Sequence, residues 1–147
     1  MTAVDTIKEC CERVWKELGA GYNEVVYQKA LNYELNTLGF LTDTERYVNV
    51  VYCDSKGFKH VVSTSRIDIF IHGKKNMILE LKNISKKIGE CETLQVKRYF
   101  KELSKEGVKI ELGILINFPQ VKSEKERLIE FEVINNSLEQ IVEPNHL

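Results

Sequence analysis

Apolar residues recur at helical spacing from Val4 to Leu18, where Ile7, Cys11, Val14, Trp15 and Leu18 share a face and Lys8, Glu9, Arg13 and Lys16 lie elsewhere on the wheel. This predicts a first amphipathic helix, broken by Gly19-Ala20-Gly21. Asn23 is placed to cap a second helix running to about Leu38, with Gly39 as its left-handed C-terminal residue. From Phe40 the pattern changes. Arg46 to Cys53 is rich in β-branched and aromatic residues, and Asp54-Ser55-Lys56-Gly57 reads as the turn of a hairpin whose return strand runs from Phe58 to about Ile71. His72-Gly73-Lys74-Lys75 turns that strand into a third, Asn76 to Asn83, and the three are expected to be antiparallel neighbours. Helical period returns over Glu90 to Glu106 and stops at Gly107. Lys109 to Phe118 is then nearly continuously apolar, as expected of a central strand covered on both faces. Pro119 ends it, Ser123 is placed to cap a short turn before Arg127, and Leu128 to Ile134 reads as a last strand. The order α-α-β-β-β-α-β-(β) predicts an α/β fold, a mixed β-sheet flanked by helices.

Composition narrows the class. The 147 residues show no linker, repeat or low-complexity stretch, so residues 1–147 read as one domain, long enough to bury about 70% of the unfolded chain's surface without disulfide or metal staples. Twenty-one Lys and Arg stand against 22 Asp and Glu, for a formal charge of −1, which excludes a polybasic protein that grips phosphate by bulk charge. Any nucleic-acid contact must then be local. The four cysteines, Cys10, Cys11, Cys53 and Cys91, form no CxxC and read as small core residues of a reducing compartment. No apolar run approaches the ~20 residues of a membrane span, and the N-terminus alternates charged with apolar residues where a signal peptide needs an apolar core. The reading is an intracellular protein, cytoplasmic by default, with no membrane partner.

Three acids stand out of pattern. In Met77-Ile78-Leu79-Glu80-Leu81-Lys82, strand alternation puts Glu80 and Lys82 on one face and Met77, Leu79 and Leu81 on the other. Taken alone, this is also what a half-exposed strand looks like. Asp68 interrupts the apolar run Ile67 to Ile71, where an unpaired carboxylate would cost several kcal/mol. If the two strands pair through the Gly73 turn, Asp68 lies near Glu80, and the two like charges call for a cation between them. A hard divalent ion such as Mg²⁺ meets that need; Arg66 is the purely structural alternative as a partner for Asp68. Glu24 falls on the same helical face as Tyr27, Leu31, Leu35 and Leu38, either for a role in a site or because a first-turn acid suits the helix dipole. On the third helix Lys97, Arg98, Lys101 and Lys105 form a basic arc beside the apolar stripe Val96, Tyr99, Phe100 and Leu103, with Gln95 at its border. Such an arc can track phosphate or simply be the solvated face. No HxxxH, HExxH, GxSxG or phosphate-loop pattern occurs, and no base is identified for Cys53 or Cys91, so a nucleophilic side chain is not indicated.

In chain order, Gly21-Tyr22-Asn23-Glu24-Val25-Val26-Tyr27, Arg66-x-Asp68, Glu80-Leu81-Lys82 and Gln95-x-x-x-Tyr99 resemble the motifs of the GxxExxY protein family, a branch of the PD-(D/E)XK nuclease-like superfamily. The similarity spans about residues 5 to 118. It implies a restriction-endonuclease-like core, Asp68 and Glu80 as metal ligands, Lys82 beside the attacking water, and Glu24 and Gln95 completing the site. Gly21, Tyr27, Arg66 and Tyr99 would support it. Ile67 stands where the superfamily has proline, and Glu92-Thr93-Leu94-Gln95 departs from the expected His-x-Ala-Gln. The implied activity is Mg²⁺- or Mn²⁺-dependent hydrolysis of phosphodiester bonds in DNA, with RNA open; the basic arc of the third helix adds Lys97, Arg98 and Lys101 as the expected nucleic-acid contacts. The alternative is a catalytically silent nucleic-acid-binding or protein-interaction module on the same fold. Nothing in the sequence excludes a homo-oligomer.

Overall fold

The computed structural model describes residues 1–120 and 128–136. Two helices open the chain, α1 (Ala3–Leu18) and α2 (Glu24–Thr37), followed by strands β1 (Leu41–Asp43), β2 (Tyr47–Cys53), β3 (Lys59–Arg66), β4 (Ile69–His72) and β5 (Asn76–Lys82). Helix α3 (Glu90–Lys105) and strands β6 (Ile110–Asn117) and β7 (Glu130–Asn135) complete the described elements. Local chemistry explains the helix ends. Thr2 and Asp5 form a reciprocal capping box on α1, and Asn23 accepts from the Val26 amide at the start of α2. Glu92, which replaces the expected histidine, accepts the Gly89 amide at 3.0 Å and closes the first turn of α3.

Five strands make one mixed sheet in the order β1-β4-β5-β6-β7, with β5 and β6 parallel and the other pairs antiparallel. The α3 crossover supplies the long connection that a parallel pair needs. Strand alternation then sorts the core into two layers. Leu79, Leu81, Ile69, Ile71, Ile114 and Ile116 face α1 and α2, while Phe70, Ile78 and Leu115 face α3 with its Val96, Phe100 and Leu103. As expected for a central strand, β6 is covered on both faces. Gly113 lets α3 close on it: a Cβ there would stand 2.5 Å from Val96 Cγ1.

The hairpin expectation needs correction. Phe58 to Ile71 is not one strand, and the three strands are not neighbours in one sheet. β3 pairs only with β2, forming a separate two-stranded ribbon, and the chain breaks at Ile67-Asp68 before β4 enters the main sheet. Ile67 is the pivot: it is fully buried, and its amide donates to the Arg46 carbonyl at 2.9 Å across the base of the ribbon. Proline there could not make that bond. Strand β1 lines the far edge of the sheet and has no counterpart in the sequence reading. Leu38, expected on the inward face of α2, is exposed because the helix has ended. Cys10 and Cys11 are core residues as expected, but Cys53 and Cys91 are exposed. The last strand begins at Glu130 rather than Leu128. The expected Ser123 cap and turn before Arg127 lie outside the described residues. Among the described residues, no helix is long and apolar enough to cross a membrane.

Candidate active site

The site is built at the point where the ribbon hands over to the sheet. The register Ile69↔Leu79, extended by one step, brings Asp68 beside Glu80, whose side chain leaves the sheet on the α3 face to meet Tyr99. Asp68 is held twice: its Oδ2 accepts the Leu81 amide at 2.7 Å, and its main-chain carbonyl accepts from Gln28 Nε2 at 3.1 Å. Arg66 does not pair with it; Arg66 reaches Glu45 instead, at 3.8 Å. The expected Arg66–Asp68 pair is not formed, because β3 ends at Arg66 and the chain bends at Ile67-Asp68 instead of carrying the two side chains along one strand face.

Glu80 is 3% exposed. Its Oε2 accepts from the Tyr99 hydroxyl at 3.1 Å, and its Oε1 is buried with no donor. Burial, and then the neighbouring Asp68 carboxylate, push its carboxyl well above the usual range. It can hydrogen-bond to Asp68 only by carrying a proton itself. From Tyr99 a chain of hydrogen bonds leads outward. Gln95 Nε2 donates to the Tyr99 hydroxyl at 3.0 Å, and Lys82 Nζ donates to Gln95 Oε1 at 2.6 Å. Burial and the adjacent Glu80 raise the Tyr99 phenol, which stays a donor.

Glu24 enters from the first turn of α2. It is half-buried, and its carboxyl is raised by burial and then by Asp68, with Lys82 opposing, which places it within electrostatic reach of both. Tyr27 sets the position of that turn. Fully buried, it stacks on Phe118 with ring centroids 4.7 Å apart, and its hydroxyl donates to the Gly19 carbonyl at 2.7 Å. Gly21 adopts φ +105°, a left-handed conformation that favours glycine in the loop feeding α2. Glu24, Asp68, Glu80, Lys82, Gln95 and Tyr99 thus approach one end of the sheet from α2, the break before β4, strand β5 and α3.

The basic arc does not converge with them. Lys97, Arg98 and Lys101 are exposed, and at about 100° per residue Lys97 and Lys101 lie roughly 200° and 240° round α3 from Gln95. Arg98 is the nearest, about 60° away. Two contributors escaped the sequence reading. Gln28 follows Glu24 by four residues, so helical spacing already put it on the inward face. Asn117 is fully buried and binds both the amide and the carbonyl of Ile84, at 3.0 and 3.2 Å, fixing the chain as it leaves β5. That role depends on a contact 33 residues away and carries no local signal.

The family model described as the PD-(D/E)XK nuclease superfamily matches residues 2–128. The chain belongs to that superfamily. A member of it is generally a nuclease, and its mixed sheet with flanking helices fits the restriction-endonuclease-like fold. The crystal structure of SSO0001 resembles this chain with a TM-score of 0.51 at 16% sequence identity, covering 99% of this chain and 84% of that one, a likeness of fold alone. No curated protein matches the sequence. In this PD-(D/E)XK chain Ile67 takes the proline position, and the pivot bond to Arg46 gives that departure a structural reason.

Proposed function

We propose that the chain is one nuclease-like domain that hydrolyses phosphodiester bonds of DNA, with RNA as a second substrate class, using a divalent cation held by Asp68 and Glu80. The supporting observation is the donorless Oε1 of Glu80, buried beside a second carboxylate. Buried polar atoms in folded proteins are nearly always hydrogen-bonded, whereas a metal ligand needs its lone pair free. Among the described residues no group of three His, Cys, Asp or Glu side chains is close enough to hold a metal ion together, and the pair assigned to the cation is Asp68 and Glu80. That donor set suits Mg²⁺, which keeps several waters, and also Mn²⁺. A cation bound there supplies Lewis acidity and neutralises charge on the phosphodiester.

The remaining roles follow from the side chains. Lys82, one pleat repeat beyond Glu80 and held by Gln95, positions a water or a phosphate oxygen and offsets developing negative charge. Gln95 and Tyr99 are positioning residues that tie Lys82 to Glu80. Glu24, with its raised carboxyl beside Lys82, is suited to hold or release a proton. The test is a Mg²⁺ and Mn²⁺ titration with single-stranded, double-stranded and branched DNA and matching RNA. Wild-type protein should cleave only with metal. Lys82→Met should lose about 10²-fold or more of the rate while keeping its melting temperature and most metal affinity, and Asp68→Asn should lose the metal. Undiminished cleavage by Lys82→Met would refute the assignment; metal binding without any wild-type cleavage would assign the chain to the silent-module alternative.

A further inference from the structure

Helix α2 has two flanks that do different things. Tyr27, Leu31 and Leu35 are fully buried against the sheet, yet Val25, Lys29 and Tyr33, spaced i, i+4, i+8, are exposed along one outer stripe, Tyr33 at 73%. Facing that stripe are Glu45 and Arg66, the last residue of β3 and two residues before Asp68. Together with Gln28 they line a cleft of about 500 Å³. Gln28 is the residue that donates to the Asp68 carbonyl, so one wall of the cleft is bonded to the backbone of the candidate metal ligand.

Arg66 joins the cleft to the outer face of the ribbon. Tyr47 pairs with Arg66 and Asn49 with Thr64, and the Thr64 hydroxyl donates to Asn49 Oδ1 at 2.8 Å, so these four side chains share the outer face. Tyr47 is 53% exposed. From Arg46 to Arg66 the chain carries four Lys and Arg against one carboxylate, Asp54, which His60 already meets at 2.7 Å, in a protein whose net charge is −1. Exposed rings flanking a few cations suit a single nucleic-acid strand, whose bases are free to stack, better than a duplex, which needs a broader basic surface. The weak Arg66–Glu45 pair, 3.8 Å apart with Glu45 71% exposed, leaves the guanidinium available for exchange onto a phosphate.

We propose that this cleft binds one single strand of nucleic acid, with Lys29 and Arg66 on phosphates and Tyr33 and Tyr47 stacking on bases, and leads it to the Asp68–Glu80 end of the sheet. This rests on the nuclease reading, and it places the strand along α2 and β3 rather than along the α3 arc. The test is fluorescence anisotropy of a labelled oligonucleotide, single-stranded and as a duplex, over a KCl series in EDTA with the full chain, alongside a metal-dependent cleavage assay. Lys29→Ala with Arg66→Ala should weaken single-strand binding about tenfold or more and reduce the salt slope by about 1.4. Tyr33→Ala should weaken it about fivefold or more at unchanged salt slope, and Tyr33→Phe should restore it. Glu45→Gln should tighten binding. Wild-type affinity in the Lys29/Arg66 and Tyr33 variants, or loss confined to a Lys97→Ala, Lys101→Ala control, would overturn the cleft while leaving cleavage, and thus the nuclease reading, intact. Tighter wild-type binding of the duplex than of the single strand would overturn the choice of ligand. Cleft variants that lose single-strand binding in a protein that never cleaves would support the cleft and sink the nuclease reading alone.

Discussion

Replacing Glu80 by Gln should make the metal-free protein more stable at neutral pH. The folded carboxyl is pushed up to about 9 from an ordinary 4.5, first by burial and then by Asp68. Between those values the native state keeps a proton that the unfolded chain has released, so stability must fall as pH rises, with a slope approaching −1.4 kcal/mol per unit. The stabilisation is fully present below pH 4.5 and lost through pH 9. At pH 7.5 the arithmetic gives a ceiling of about 4 kcal/mol, three units at 1.36 kcal/mol each. Relaxation of the site and water entry on ionisation lower the expected part to about 2 kcal/mol. Glutamine mimics the protonated acid. Its oxygen still accepts from Tyr99, and its amide still donates toward Asp68, without any group that must ionise on unfolding.

Urea melts in EDTA from pH 5 to 8.5, on wild type and variant, measure this directly. The two proteins should be close at pH 5 and diverge steadily, the variant gaining about 2 kcal/mol at pH 7.5, and about 5 °C or more in Tm in parallel thermal melts. Taking the difference between them cancels the smaller, same-sign contribution of Glu24. Saturating Mg²⁺ should reverse the order, because a cation favours the ionised pair and stabilises only the chain that binds it. A wild-type profile that is flat or rises with pH in EDTA, or a variant less stable at pH 7.5, would refute the buried, proton-holding carboxyl and with it the argument for an open ligand position.

Two further substitutions test how the scaffold holds the site. Tyr27→Phe keeps the stack on Phe118 but loses the bond to the Gly19 carbonyl, and should cost about 1 kcal/mol in urea unfolding, against about 3–5 kcal/mol for Tyr27→Ala; equal losses would mean that the stack contributes little. Gly113→Ala should destabilise by about 1–3 kcal/mol, since its methyl meets Val96 on α3, and a neutral result would show that α3 does not close so tightly on the sheet.

What could be read from the sequence, and what could not, follows the range of the interactions. Helix limits were legible because caps and glycines act within a turn, as at Asn23 and Gly39, whose φ is +90°. The pairing of Glu80 with Lys82 was legible from alternation alone, and Asp68 opposite Glu80 followed from a turn at Gly73, where a single strand-to-strand connection fixes the register. The break at Ile67-Asp68 was hidden because Ile67-Asp68-Ile69-Phe70-Ile71 contains neither glycine nor proline, and what bends the chain there is a hydrogen bond to Arg46, 21 residues earlier. Without that break β3 would run straight on into β4, and no separate ribbon would stand beside α2. The cleft therefore depends on the feature that local pattern conceals. The acids of the site are visible as exceptions to hydrophobic patterning, but the surface that would guide a strand to them is made of ordinary exposed residues, Lys29, Tyr33 and Arg66, which acquire a common direction only when the tertiary fold brings a helix flank against the base of a ribbon.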